Sequence, residues 1–329
     1  MRLSLLLSGL TALVAVLFGL SLLVGPAGFG IAQSLSALLG GEGEAVTLVM
    51  REIRLPRAIL AVMVGVSLGL SGAALQGFLR NPLAEPGLIG VSSSAALGAV
   101  LALQTGFAAS FALALPVSAL SGALVSVLLL LVLAGPRGGS LTLILAGIAI
   151  SALAGAFLSL VLNLSPNPFA VSEIVFWMLG SLSDRSFDHV TVALPVMLVG
   201  WVLLASLGRG LDALTLGQDA AESMGINLGQ LRLRLVAGVA ASVGAATAVA
   251  GAIGFVGLVV PHILRPFVGA RPGALLPASA LGGAAMVLAA DIAVRLVLPD
   301  RDLKLGVLMA IVGAPLFLHL IYKTRRQMI

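Results

Sequence analysis

Cysteine is absent from the 329 residues. That excludes disulfides, a thiolate metal site and a cysteine nucleophile. Charge is scarce too: Asp, Glu, Lys and Arg make up 9% of the chain, against about 25% in soluble domains. Aromatic residues supply 5%, with no basic stripe between them, so nucleic acid is not an expected partner. No GxxxxGK[ST] loop occurs, so ATP hydrolysis is not expected in this chain. A GxSxG elbow is also missing, and no histidine stands on a plausibly facing span, which removes the common serine-hydrolase arrangement. His262 has no second His or carboxylate three or four residues on; it reads as a packing residue, not a metal ligand. Neither a metal nor a resident cofactor is expected.

What is present is apolar. Hydrophobic residues make up 60% of the sequence, and forty glycines accompany them; the mean hydropathy is +1.17. A bilayer core takes about 20 apolar residues per helix, so the length predicts roughly ten crossings. The expected fold is an all-α polytopic membrane protein, with residues 1–329 forming a single transmembrane domain. Small residues suit it, because they let helices approach closely in lipid. The predicted spans are 3–24, 55–78, 88–103, 107–134, 141–164, 190–207, 235–253, 255–268, 275–298 and 305–322. The first is read as a retained helix, being longer than a signal-peptide core and lacking an A-x-A-like site. The eighth is too short to cross alone, is interrupted by Pro261, and needs loops buried in protein to complete it. An amphipathic helix at about 168–182 is expected to lie at the outer, periplasmic interface.

Ten spans put both termini on one side. That side carries Arg2, Arg80, Arg137, Arg209, Arg232, Arg234, Arg265, Arg271, Lys323, Arg325 and Arg326, eleven of the 18 basic residues. Arg51, Arg54, Arg57, Arg185, Arg295, Arg301 and Lys304 fall on the other. The positive-inside bias therefore assigns the termini to the cytoplasm. Seven outer charges are unusual and require a reason.

Three stretches stand out. Residues 207–234 cannot sit in hydrocarbon: they hold Arg209, Asp212, Asp219, Glu222, Arg232 and Arg234 among repeated glycines. Two short helices, 211–216 and 218–224, are expected there, forming a cytoplasmic island on which a soluble partner could push; the plainer reading is a long connecting loop. The NPLAEP turn at 81–86 is stiffened by two prolines, and by itself reads as a helix connector. Asp291 and Arg295 stand four apart on one helix face, either as an intrahelical pair or with Arg295 facing outward.

With these residues in view, the chain resembles the iron-chelate and cobalamin (FecCD-type) permeases of type II ABC importers. The resemblance is carried by RLPRAILAVMVGVSLGLSGAALQGFLRNPLAEPGLIGVS, LILAGIAIS, ALTLGQDAAESMGINLGQLRLR, GAIGFVGLVVPHILR, LLPASALGGA, LAADIAVRL and LGVLMAIVGAPLFL, in family order from Arg54 onward. It implies ten helices per subunit, a second copy of the chain around a central pathway, and two cytoplasmic ATPase subunits carrying ATP and Mg. It also implies a periplasmic binding protein docking outside, in a bacterial inner membrane. By position, Arg54, Arg57 and Arg295 match arginines that meet acidic residues on the binding protein. Asn81, Pro82 and Leu83 match a cytoplasmic gate, and Ser140 falls at a second gate position. Leu214, Gly217, Gln218, Ala221, Met224 and Gly225 match the helices that couple to the ATPase. The implied cargo is an iron chelate, such as a ferric siderophore or haem, or cobalamin. The competing class, an ion-coupled secondary transporter, usually carries carboxylates at mid-membrane, whereas Glu173 and Asp291 are placed near boundaries.

Overall fold

Helices that associate in lipid gain little from apolar burial, so contact depends on how closely backbones approach. This sequence puts its small residues at the crossings. In the computed structural model, which describes residues 3–25, 28–40, 43–111, 113–135, 139–166, 168–297 and 303–327, the chain is helical throughout, with no strand among the described residues. Arg2, Arg137 and Arg301 of the charge count lie outside those residues, as do the side chains of Ser140, Lys323, Arg325 and Arg326.

In chain order the helices are α1 (Leu3–Leu23), α2 (Ile31–Leu39), α3 (Glu44–Leu48), α4 (Leu55–Leu79), α5 (Val91–Gln104), α6 (Ala114–Ala134), α7 (Ser140–Asn163) and α8 (Pro168–Met178). There follow α9 (Phe187–Ala205), α10 (Gly208–Leu214), α11 (Gln218–Ser223), α12 (Leu228–Ala250), α13 (Val256–Leu264), α14 (Pro272–Val297) and α15 (Leu305–Gln327). Seven stretches are long and apolar enough to cross a membrane; Val91–Gln104, Val256–Val268 and Leu305–His319 are shorter apolar helices. Together they account for the ten predicted spans. Several boundaries differ: span four starts at Ala114, not 107, and span seven runs over Leu228–Ala250, not 235–253. Span three begins at Val91, not 88, because Pro86–Ile89 forms a 3-10 turn closed by Gly90 at φ +80°. The helix predicted at 168–182 stops at Met178, and the next residues thread into the bundle, with Leu182 1% exposed.

Buried α4 and α12 form the centre. Gly65 and Gly69 of α4 lie against the backbone of Gly283 and Ser279 of α14, leaving no room for a Cβ. Gly98 and Gly122 lock α5 to α6 in the same way, against Ser118 and Ser94. Trp201 of α9 donates its indole N–H to Ser67 Oγ of α4 at 2.8 Å. Where α12 breaks off, its last carbonyl is satisfied by irregular backbone: Ser181 donates to the Ala250 carbonyl at 2.8 Å. This is how broken helices are tolerated at depth.

α7 is packed loosely. Leu145, Leu153, Phe157 and Leu160 are exposed, and an apolar groove of about 610 Å³ opens between α5, α6 and α7.

Candidate functional site

Polar side chains gather in three places, two of them at opposite ends of α14. The first is an arginine cluster at its C-terminal end. A helix ends with four carbonyls lacking intrahelical partners, and α1 ends at Leu23 against the bundle. Arg54 donates to the Leu22 and Leu23 carbonyls at 2.9 and 3.0 Å. Arg295 donates to the Ser21 and Val24 carbonyls at 2.8 and 2.6 Å, and to Ser21 Oγ at 2.7 Å. Gly25 makes the space, since a Cβ there would stand 2.8 Å from Arg54 Nη2. Asp291, 1% exposed, holds Arg57 at 2.8 Å and Arg295 at 2.9 Å. Cations at a helix C-terminus also complement its dipole.

A docking role implies that these arginines face water, and for Arg54 and Arg295 the structure corrects that. Arg54 is 4% exposed and the Arg295 side chain 8%, while Arg57 keeps 16%. Their first task is to satisfy the end of α1 and the Asp291 carboxylate, and this accounts for three of the seven outer charges. Of the two readings of Asp291–Arg295 the intrahelical pair is the one observed, with Arg57 as the carboxylate's second partner. A wide π-helical turn, Val49–Arg54, precedes α4. Pro56 follows it, and its missing N–H breaks the regular ladder there. Arg51 on that turn is exposed, donating to the Leu38 carbonyl at 3.0 Å. Arg185, another of the outer charges, has its pKa lowered by burial, which Asp184 opposes.

The second cluster is the island at the opposite end. α10 and α11 form a compact pair. Gly217 reverses the chain between them at φ +109°. Gly225 ends α11 at φ +83°, with its N–H on the Glu222 carbonyl and that of Ile226 on Ala221, a Schellman closure. Asn227 then caps α12 by accepting from Gln230 N–H at 2.9 Å. Of the predicted coupling residues, Gln218, Met224 and Gly225 are exposed, whereas Leu214 (3%) and Ala221 (0%) are buried. Those two hold the pair together and offer no surface. Leu216, within the coupling stretch but not among the residues singled out there, is 70% exposed, and Met224 is 61% exposed; a leucine beside a reversing glycine was the available signal. The sequence reading gave no partner to Asp212, which accepts from Gly273 N–H at 2.7 Å and from Arg271 at 3.2 Å. Gly273 and Asp291 are eighteen residues apart on α14, about 27 Å at 1.5 Å per residue.

The third is the 81–86 turn. Arg80 ends α4 in a left-handed conformation, φ +49°. Asn81 Oδ1 accepts from Leu83 N–H at 2.9 Å, so the turn is closed on itself. Asn81 is exposed; Pro82 and Leu83 are half-buried. Glu85 reaches inward to accept from Phe255 N–H at 2.8 Å. Ser140 opens α7 across residues 136–138, which lie outside the described residues.

Residues 13–323 match one family model: the FecCD transport family. The chain belongs to the FecCD transport family. Among its relatives, the hemin transport system permease protein HmuU of Yersinia pestis is 40% identical over 279 residues, covering 84% of this chain and 83% of that one. The vitamin B12 import system permease protein BtuC of Vibrio cholerae is 39% identical over 274 residues, covering 83% and 82%. An ABC transporter of the metal-chelate type, solved in an inward-facing conformation, superposes with a TM-score of 0.85 at 34% identity, covering 96% of this chain and 98% of that one. This FecCD chain is a membrane-embedded ABC-transporter permease of the type II fold.

Proposed function

We propose that the permease works as a homodimer with two ATPase subunits on the island side and a substrate-binding protein on the arginine side. It imports an iron chelate (ferric siderophore or haem) or cobalamin across the bacterial inner membrane, with both termini cytoplasmic. The whole chain acts as one transmembrane unit without enzyme activity; ATP and Mg belong to the partners. The carrying observation is the placement of two polar clusters at the two ends of α14, one of them presenting exposed Leu216 and Met224. A rigid knob with exposed apolar side chains suits a cleft in a soluble partner, and its bond to α14 through Asp212 gives a push a route into the bundle.

Gating is assigned to Asn81, Pro82, Leu83 and Ser140, and coupling to Gly217, Gln218, Met224 and Gly225, with Leu214 and Ala221 supporting from within. Docking of the binding protein is assigned to the surface around Arg57, with Arg54 and Arg295 shaping it from below.

The experiment is uptake by proteoliposomes holding the permease, its ATPase and its binding protein, offered haem, ferric siderophore and cobalamin in turn. ATP-dependent accumulation of one of them is expected. Accumulation driven by a proton or sodium gradient without the ATPase would establish the secondary-transport alternative instead.

A further inference from the structure

Gln76 lies 2% exposed within α4, where a long polar side chain has to be satisfied by protein. Its partners explain its presence. Pro261 has no N–H, so the carbonyl four residues before it in α13, that of Gly257, loses its helical donor. Gln76 Nε2 supplies one, lying 3.3 Å from the Gly257, Leu258 and Ala84 carbonyls. Gln76 Oε1 accepts from Arg265 at 2.6 Å; because arginine only donates, the orientation of the amide is settled. One side chain thus ties α4, the turn carrying Ala84, and both ends of the Pro261 turn.

A second tie lies beside it. Glu85 Oε1 accepts from Phe255 N–H at 2.8 Å, at the N-terminus of α13. Phe255 holds φ +67°, a conformation that a non-glycine residue keeps only when its surroundings fix it. Its ring lies so close to Gly313 of α15 that a Cβ there would have no room.

We propose that Glu85 and Gln76 form a two-point clamp that makes the 81–86 turn and α13 a single moving part. The inference rests on reading that turn as a gate. A displacement of α13 then moves Asn81 and Leu83 with it, and through Phe255 bears on α15. Glu85 and Gln76 are positioning residues, since neither needs to touch cargo. For Glu85 the acceptor oxygen matters, not the charge.

The test uses the complete importer in proteoliposomes, with cysteine placed at Leu83 in this cysteine-free chain. Cross-linking between the two copies is compared with and without trapped nucleotide, alongside the ATP consumed per cargo imported. In the parent, cross-linking is expected to change strongly with nucleotide. Glu85→Leu should cut that contrast at least threefold and raise ATP consumption per cargo. Glu85→Gln, which keeps an acceptor oxygen, should stay within twofold of the parent. Glu85→Ala is read in parallel, so that failure of the bulkier Leu variant to assemble does not decide the matter. An invariant parent overturns the gate reading and the clamp with it. A varying parent matched by Glu85→Leu or Glu85→Ala overturns the clamp alone. Glu85→Gln behaving as badly as Leu overturns it also, by showing that charge is what counts.

Discussion

Asp212 of the island and Gly273 of α14 are joined by a 2.7 Å hydrogen bond from backbone N–H to carboxylate. The bond caps a long helix with a side chain from another element, and losing such a cap costs about 1 kcal/mol. Asp212→Ala should therefore leave the permease assembled but raise ATP consumed per imported cargo several-fold. Asp212→Asn, keeping an oxygen acceptor, should lie close to wild type. An unchanged ratio in Asp212→Ala, measured in proteoliposomes, would remove this strut from the coupling route.

Gly225 stands at φ +83° with nothing within 4 Å of a built Cβ, so a side chain there meets backbone strain and no steric wall. Holding a β-branched residue in that region costs roughly 1–3 kcal/mol. Gly225→Val should stay in the membrane yet lose the ATPase subunit or uncouple it, and Gly225→Asn should be milder because Asn tolerates the left-handed region. Co-purification of the ATPase with each variant reads this directly. Equal recovery with Val, Asn and Gly would contradict the assignment.

Arg57 and Arg295 share Asp291, so either can be lost while the carboxylate keeps a partner. Arg57→Met should lower thermal stability modestly. Arg295→Met should lower it more, because carbonyls at the end of α1 are then orphaned at about 1–3 kcal/mol each. The double variant should exceed the sum, since it leaves a buried carboxylate with neither guanidinium. Thermal unfolding in detergent would show this; strict additivity would mean that the two arginines act independently.

Docking is best probed where charge is accessible. Arg51→Glu and Arg57→Gln should slow association of the binding protein several-fold at low salt, with the difference shrinking as salt screens it. Replacing Arg54 or Arg295 by Glu is a poor docking test, because an acid there would face the carbonyls of α1. Rates independent of Arg51 and Arg57 at every salt concentration would move the docking surface elsewhere.

The crossings were legible in the sequence because hydrocarbon imposes length and apolarity segment by segment. The short eighth span was also legible, because Pro261 and the Gly254 region mark it. The arginines at the end of α1 were not, since the bond from Arg295 to Ser21 joins residues far apart in sequence and no local pattern foretells it. Helix α2 falls between the first two predicted spans, where no helix was expected, although its exposed Ile31, Leu35 and Leu39 recur every four residues. Gln76 carried a signal that was passed over: a lone amide in an apolar span beside a proline elsewhere implies a carbonyl in need of a donor. Glu85 was read as part of a turn, and only the fold brings it to Phe255.

The bond between Arg295 and the end of α1 also bears on the order in which the protein is built. Chains emerge from the ribosome at about 5–20 residues per second, so the roughly 270 residues between Val24 and Arg295 take on the order of 10–60 s. Arg54 follows early enough to serve Leu22 and Leu23, but throughout that interval the Ser21 and Val24 carbonyls have to find temporary partners in water, headgroups or neighbouring segments. A nascent chain stalled before Arg295 should therefore expose the end of α1 to protease or labelling reagents, and one stalled beyond it should not.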